Sequence, residues 1–119
     1  TPVIRTLPTQ QKIVLASVLI NQINGLKNMQ TGEVHHIYKQ VCQYSGQPML
    51  SARRISGLIS NLDMLGLISA KTVSKGRYGR SKQINPSLPA NIDAQKIITQ
   101  SEPLLNDIFA HKYRYQSKL

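Results

Sequence analysis

Apolar residues recur through the first half of the chain with the spacing of α-helices, and they predict three helices in succession. Residues 10–23 form the first, and its middle is apolar nearly all round, which is typical of a helix at the centre of a small domain. The second helix begins at Thr31, which we expect to be its N-cap residue. Apolar residues at i, i+3, i+4, i+7 and i+8 predict one buried face for it. They are Val34, Ile37, Tyr38, Val41 and Cys42.

The third helix is predicted to expose a face of small and basic residues. Ser51 is its expected N-cap and Gly66 ends it. Its buried stripe comprises Ile55, Leu58, Ile59, Leu62 and Leu65. The outward face holds Arg53, Gly57, Ser60 and Met64, flanked by Arg54, Ser56 and Asn61. Because a glycine within a helix costs about 1 kcal/mol relative to alanine, we interpret Gly57 as a position where the helix comes close to another surface.

A β-hairpin and a final helix are predicted to follow. Residues 67–74 and 81–85 are the paired strands, and the final helical stretch covers about 93–115, split by Pro103 with Ser101 as the cap of its second part. The predicted fold class is mainly α with a small β-hairpin, a winged helix-turn-helix with an added C-terminal helix. Residues 1–119 are expected to form one such domain, with its core at about 6–85.

Positive charge is concentrated on the third helix and the hairpin. The whole chain carries a formal net charge of +10. Residues 51–85 hold seven basic residues against Asp63 alone, which is +6 of that total. The basic residues are Arg53, Arg54, Lys71, Lys75, Arg77, Arg80 and Lys82. Such clustering beside a helix that can enter a groove indicates a polyanionic partner.

The two basic groups suggest different contacts with nucleic acid. Arg53 and Arg54 lie in the first helical turn, where the helix dipole disfavours cations, so a bound DNA is a reasonable source of the counter-charge. The hairpin tip, residues 75–80, contains lysine and arginine without acid, and an arginine there suits a narrow minor groove. Tyr78 could pack against sugar and phosphate or fold back over its own hairpin.

Other classes of function find little support. No apolar run approaches the roughly 18 residues of a membrane-spanning helix. The one cysteine, Cys42, permits no internal disulfide and fits a reducing cytoplasm. His35 and His36 have no metal ligands at suitable spacing, so no metal site is expected. The five acidic residues are scattered and no phosphate-binding loop or nucleophile elbow is present, so we expect no catalysis.

Two runs of residues carry a resemblance to a known family. These are Asn61-Leu62-Asp63-Met64-Leu65-Gly66-Leu67-Ile68 and Val73-Ser74-Lys75-Gly76-Arg77-Tyr78-Gly79-Arg80-Ser81. Together with Thr31-Gly32-Glu33-Val34, they resemble the C-terminal winged-helix domain of archaeal replication initiators. These initiators are related both to the largest subunit of the origin recognition complex and to the cell-division-control loader. The resemblance covers about residues 6–85.

The resemblance implies a larger parent, in which a preceding AAA+ ATPase module binds ATP or ADP with Mg²⁺ and also contacts origin DNA. The chain begins with Thr1 rather than Met, so we expect a fragment, with no cofactor of its own. The resemblance places the third helix in the major groove through Ser51, Arg53, Arg54, Ser56 and Ser60. It places the wing in the minor groove through Lys75, Arg77, Tyr78 and Arg80. Implied partners are double-stranded origin DNA, other initiator copies and the replicative helicase, in the cytoplasm at the nucleoid.

The sequence departs from the family pattern on its third helix, and two functions other than DNA binding at origins are compatible with it. The family often has acidic residues where this chain has Gly57 and Asn61, so its base preferences are expected to differ. The domain could instead dock proteins, although such interfaces are depleted in lysine. It could also be a helix-turn-helix transcription regulator that dimerises through its last helix, although Pro103 interrupts that helix.

Overall fold

A computed structural model describes residues 2–74, 80–88 and 93–114 of the chain. Five α-helices and one hairpin follow in order, with a short 3₁₀ turn at Pro103–Leu105. They are α1 (Pro2–Thr6), α2 (Thr9–Ile23), α3 (Thr31–Ser45), α4 (Ala52–Met64), β1 (Ile68–Ser74), β2 (Arg80–Pro86) and α5 (Ala94–Ser101). The order helix, helix, helix, hairpin, helix is therefore confirmed, with α1 as an addition that the sequence pattern did not predict.

Helix α2 is the centre of the core, as its apolar pattern predicted. Every residue from Gln11 to Asn21 is buried. The helix packs against α3, α4, α5 and β2, so it has no fully solvated face over that length. The surrounding elements are arranged around it, and this arrangement determines where α4 lies.

Helix α3 has the predicted core stripe but a different start. All five predicted apolar positions are fully buried. The N-cap, however, is Gln30 rather than Thr31, which is already helical. The main-chain N–H of Gln30 donates a 2.9 Å hydrogen bond to Glu33 Oε1. This contact stabilises a helix start one residue earlier than an N-cap at Thr31 would give.

Helix α4 begins as predicted, and its buried stripe ends one turn early. Ser51 Oγ accepts a 3.3 Å hydrogen bond from the N–H of Arg54. Leu65, predicted to be buried, is 44% exposed. It lies just past the last helical residue, where Gly66 turns the chain at φ +78°, and Leu67 and Ile68 enter the core instead.

The hairpin is antiparallel with a register from Ile68 opposite Pro86 to Ser74 opposite Arg80. A third segment joins its outer edge at Met29, whose N–H and C=O pair with Ile84 at 2.9 and 2.8 Å. The predicted strand bounds are right to within one residue. The tip, residues 75–79, lies outside the described residues.

The predicted C-terminal helical extension is wrong beyond α5. Helix α5 ends at Ser101, which is its last residue and not a cap, and Glu102 adopts an extended conformation before the 3₁₀ turn. Pro103 has no N–H to continue the helical ladder. The carboxylate of Glu102 instead accepts a 2.9 Å hydrogen bond from Thr9 Oγ1 and lies 4.0 Å from the buried Lys12 Nζ. The end of α5 is thereby joined to the start of α2.

Candidate nucleic-acid interface

The outward face of α4 gathers the predicted helix contacts on one exposed surface. All six residues assigned to it are exposed, namely Ser51, Arg53, Arg54, Ser56, Gly57 and Ser60. Among the residues that the structure describes, neither arginine forms an ion pair. Within the described part of the chain these two cations of the first helical turn have no counter-charge, which favours an anion at this surface.

None of the described residues requires Gly57 to be small. A Cβ atom built on Gly57 would meet nothing within 4 Å outside its own helical neighbours. The residue is exposed near the middle of α4. The glycine therefore costs helix stability without relieving a clash with any residue that the structure describes.

A groove of about 440 Å³ lies between α4, the start of α3 and the hairpin. It is lined by Gln30, Thr31, Gly32, Ser56, Ile59, Thr72 and Lys82. Lys82 Nζ donates a 3.4 Å hydrogen bond to Ser60 Oγ, which places a strand cation beside the outward face of α4. The first N–H groups of a helix have no intrahelical acceptor, so the start of α3 offers donors to an anion in this groove.

Lys82, Thr31 and Gly32 were not among the predicted contacts. The charge count includes Lys82, but nothing in the local pattern shows that its side chain turns towards α4. The start of α3 lines the groove only because of the way in which α3 and α4 pack together. A proximity of residues about 25 positions apart has no signature in hydrophobic periodicity.

Polar side chains of α2 contact both the last turn of α4 and the turn that precedes the helix. Gln11 Nε2 donates a hydrogen bond to Asn61 Oδ1, so Asn61 is turned towards α2 and is half-buried, which corrects its predicted place beside the outward face. Gln10 Nε2 donates a 2.8 Å hydrogen bond to the carbonyl oxygen of Pro48 in the turn before α4. These contacts hold α4 near its end and hold the turn from which it starts.

Asp63, the one acidic residue of the basic segment, is used within the fold. Its Oδ1 accepts a 3.2 Å hydrogen bond from the N–H of Ala70 in β1. The contact joins the last turn of α4 to the hairpin, and it fixes the direction in which β1 leaves the helix. The carboxylate belongs to this junction and lies at the opposite end of α4 from Arg53 and Arg54.

The wing contacts can be located only in part. Lys75, Arg77 and Tyr78 lie outside the described residues, and for Arg80 the structure describes the main chain at the start of β2. Lys71 and Thr72 are exposed on β1, and Thr72 lines the groove. The described part of the hairpin therefore borders the groove through Thr72 and Lys82.

Among the described residues that line the groove there is neither a histidine nor the cysteine. Cys42 is fully buried, as predicted for a core residue, and burial raises the pKa of its thiol. Burial and the nearby Lys39 lower the pKa of His35. No group of three or more potential metal ligands occurs within the described part of the chain. None of its helices is long and apolar enough to cross a membrane.

Comparison with known proteins gives consistent results. The family model for the CDC6 C-terminal winged helix domain matches residues 2–96. The ORC1-type DNA replication protein 7 of Halobacterium salinarum is 46% identical over 106 residues, which are 89% of this chain and 20% of that protein. The ORC1-type DNA replication protein of Pyrococcus abyssi is 42% identical over 117 residues, or 98% of this chain and 25% of that protein.

Solved structures show the same likeness. The Aeropyrum pernix ORC1 protein in complex with DNA superposes with a TM-score of 0.70 at 33% identity, over 92% of this chain and 26% of that one. Cdc6p from Pyrobaculum aerophilum superposes with a TM-score of 0.59 at 18% identity, over 95% of this chain and 26% of that one, which supports the fold alone. The chain thus spans about a fifth to a quarter of the relatives that it matches.

Proposed function

Since the chain belongs to the family of CDC6 C-terminal winged-helix domains, we propose that it is the double-stranded DNA-binding module of a replication initiator and recognises origin sequences. The observation that carries the proposal is the exposed outward face of α4, with two arginines that have no ion pair among the described residues, beside a groove that contains Lys82. The likeness to an ORC1 protein in complex with DNA supports the same function.

In this proposal α4 enters the major groove with its first turn leading. Arg53 or Arg54 donates to the acceptor edge of a guanine, and Ser51, Ser56 and Ser60 contact bases or phosphates along the exposed face. Gly57 lets the helix axis come close to the floor of the groove. The narrow cross-section at this position is the reason that its helical cost is tolerated.

Phosphates are proposed to occupy the groove beside α4. Lys82 supplies a positive charge, and the free N–H groups at the start of α3 supply directed donors. These contacts set the register of the helix on the duplex without reading its sequence. Arg77 and Arg80 are proposed to enter the adjoining minor groove, with Lys75 and Tyr78 on the sugar–phosphate backbone.

The domain is proposed to act as the DNA anchor of a longer protein with a separate AAA+ module. The matched relatives are four to five times as long as the aligned region, which leaves room for such a module. Nucleotide and Mg²⁺ would bind there, and this domain would catalyse no reaction. Other initiator copies and the replicative helicase are its proposed protein partners, in the cytoplasm at the nucleoid.

The transcription-regulator alternative is weakened by the C-terminal part of the fold. Helix α5 has only eight residues, and within the described residues no longer helix follows it. A dimer held by one short, broken helix would bury too little apolar surface. Protein docking remains the competing outcome of the binding test.

The test is binding of the chain to duplex DNA across a salt series, with origin and unrelated sequences. About six cations facing phosphates predict a slope of log K against log[salt] near −5. Lys82→Ala should reduce the slope by about 1, whereas Lys96→Ala, the same change on exposed α5, should leave it close to that of the parent. A parent slope shallower than about −2 would favour protein docking.

A further inference from the structure

After the 3₁₀ turn the chain returns to the outer side of α3, where residues 106–114 form a tail. Two contacts hold its first part. The hydroxyl of Tyr44 donates a 2.8 Å hydrogen bond to Asp107 Oδ2. The rings of Tyr44 and His111 stack with centroids 4.0 Å apart. The tail is therefore fixed against α3 by specific contacts.

Gln40 holds the last described residue of this tail by its main chain. Its Nε2 donates a 2.7 Å hydrogen bond to the carbonyl oxygen of Arg114, and its Oε1 accepts one of 2.7 Å from the N–H of Arg114. His36 Nε2 lies 2.7 Å from the same carbonyl oxygen, which can only accept, so the imidazole is the donor. These three contacts use only the main chain of Arg114, and its side chain is left exposed.

This clamp lies close to the proposed DNA surface. Gly32 lines the groove beside α4, and His36 follows it by four residues on the same face of α3. That spacing corresponds to about 6 Å along the helix axis. Gln40, which makes two of the three contacts, follows Gly32 by eight residues, or about 12 Å along the helix axis. The clamped Arg114 is thus held between one and two helical turns from the edge of the groove.

The surroundings of the clamp are basic. Lys39 and Lys112 are exposed, as is Arg114 itself. The one acidic residue of the tail, Asp107, accepts the hydrogen bond from Tyr44. A polyanion that follows the groove past the start of α3 would meet these three cations, with the half-buried Glu33, whose carboxylate accepts the N–H of Gln30, as the opposing charge on α3.

We propose that this tail is a third DNA-contacting element, in which Gln40 and His36 position Arg114 against a backbone phosphate beside the segment covered by α4 and the wing. The inference rests on the proposed function, because it places the tail on the same duplex. A phosphate contact of this kind adds affinity on every sequence and carries no base preference.

Two variants separate the charge from its positioning. Arg114→Ala removes the cation and keeps the main-chain clamp, and Gln40→Ala keeps the cation and removes the clamp. Each variant should weaken binding to origin duplexes and to unrelated duplexes by the same factor. Arg114→Ala should reduce the salt slope by about 1, so its deficit relative to the parent should shrink about fourfold between 50 and 200 mM salt. The double variant should bind like Arg114→Ala, because the clamp has no cation left to position.

Matched controls make the outcome specific. Lys96→Ala removes one exposed charge from α5 and should change affinity less than Arg114→Ala does. Arg114→Lys keeps the charge, so its slope of log K against log[salt] should be close to that of the parent. On a duplex too short to extend past α4 and the wing, parent and Arg114→Ala should bind alike.

The failures are distinguishable. A parent that does not bind duplex DNA overturns the proposed function itself. A parent that binds with a steep slope, together with an Arg114→Ala variant of the same affinity and slope on long duplexes, overturns the tail contact alone. Parental binding by a folded Gln40→Ala variant overturns the positioning role of the clamp.

Discussion

The hydroxyl of Tyr38 accepts a 2.8 Å hydrogen bond from the main-chain N–H of Leu50. It also donates a 2.6 Å hydrogen bond to Gln10 Oε1, and the amide of Gln10 contacts Pro48. One buried side chain of α3 thus fixes the turn that leads into α4. The orientation of the proposed DNA-reading helix depends on this polar network inside the domain.

Tyr38→Phe should therefore lower the free energy of unfolding by about 1–3 kcal/mol, because the N–H of Leu50 would lose its acceptor in a partly buried place. Tyr44→Phe removes a hydroxyl that contacts Asp107 at the surface and should cost at most about 0.5 kcal/mol. Urea denaturation of both variants measures the difference. Equal losses would mean that the Tyr38 network does not stabilise the turn.

Alkaline pH should reduce the contribution of Tyr38 to the stability of the fold. Burial raises the pKa of Tyr38 from its ordinary 10 to about 12. Between these values the unfolded chain has released the proton and the folded chain has kept it, so this contribution to stability is complete below pH 10 and is lost as pH rises towards 12. The stability gap between parent and Tyr38→Phe should narrow over that window. A gap that stays constant from pH 8 to pH 11.5 would contradict the burial of an un-ionised hydroxyl.

Gly57→Ala should stabilise the domain and fail to improve DNA binding. The open space at Gly57 accommodates a methyl group, so unfolding should require about 0.5–1 kcal/mol more. Gly66→Ala should do the opposite, at a cost of about 1 kcal/mol, because Gly66 has a φ of +78°. Thermal melts compare the two.

A bulkier residue at the same position tests the approach to DNA. Gly57→Leu should bind duplex clearly more weakly than the parent, whereas Gln95→Leu, at an exposed position of α5, should bind normally. Tight binding by folded Gly57→Leu would show that this face of α4 stays out of the groove.

Arg53→Ala and Arg54→Ala should differ in their effect on specificity. The arginine that contacts a base edge should cost about 1–3 kcal/mol and relax the preference at one position of the site, while a phosphate contact should weaken all sequences alike. Arg5→Ala on α1 is the charge-matched control. Selection of preferred sites with each variant identifies the reading residue. If both variants lose affinity equally on all sequences, α4 positions the protein on the duplex and does not read its bases.

The wing prediction concerns Arg77 and Arg80 together. Their replacement with alanine should change stability by no more than about 0.5 kcal/mol, as expected of surface substitutions. Affinity should fall on every sequence and the salt slope should shrink by up to about 2. The loss should be larger on A·T-rich sites with a narrow minor groove than on G·C-rich sites. Footprints identical to those of the parent would exclude the wing from the interface.

Local features of the fold could be predicted from the sequence alone. The five-residue stripe of α3 is buried as predicted, and Ser51 caps α4, because both depend on contacts within a few residues along the chain. The exposed face of α4 follows from the same periodicity. The clustering of basic residues at 51–85 is a property of the sequence itself, and it indicates a polyanionic partner independently of the packing.

The remaining features depended on how the elements pack. Gln11 meets Asn61 across 50 residues, and Gln40 meets Arg114 across 74. The exposure of Leu65 and the position of Lys82 beside α4 were decided in the same way. A hydrophobic period reports which side of one helix faces inward, but it contains no information on which polar group another element will bring to that side. Those pairings arise only when the helices and the hairpin close around α2.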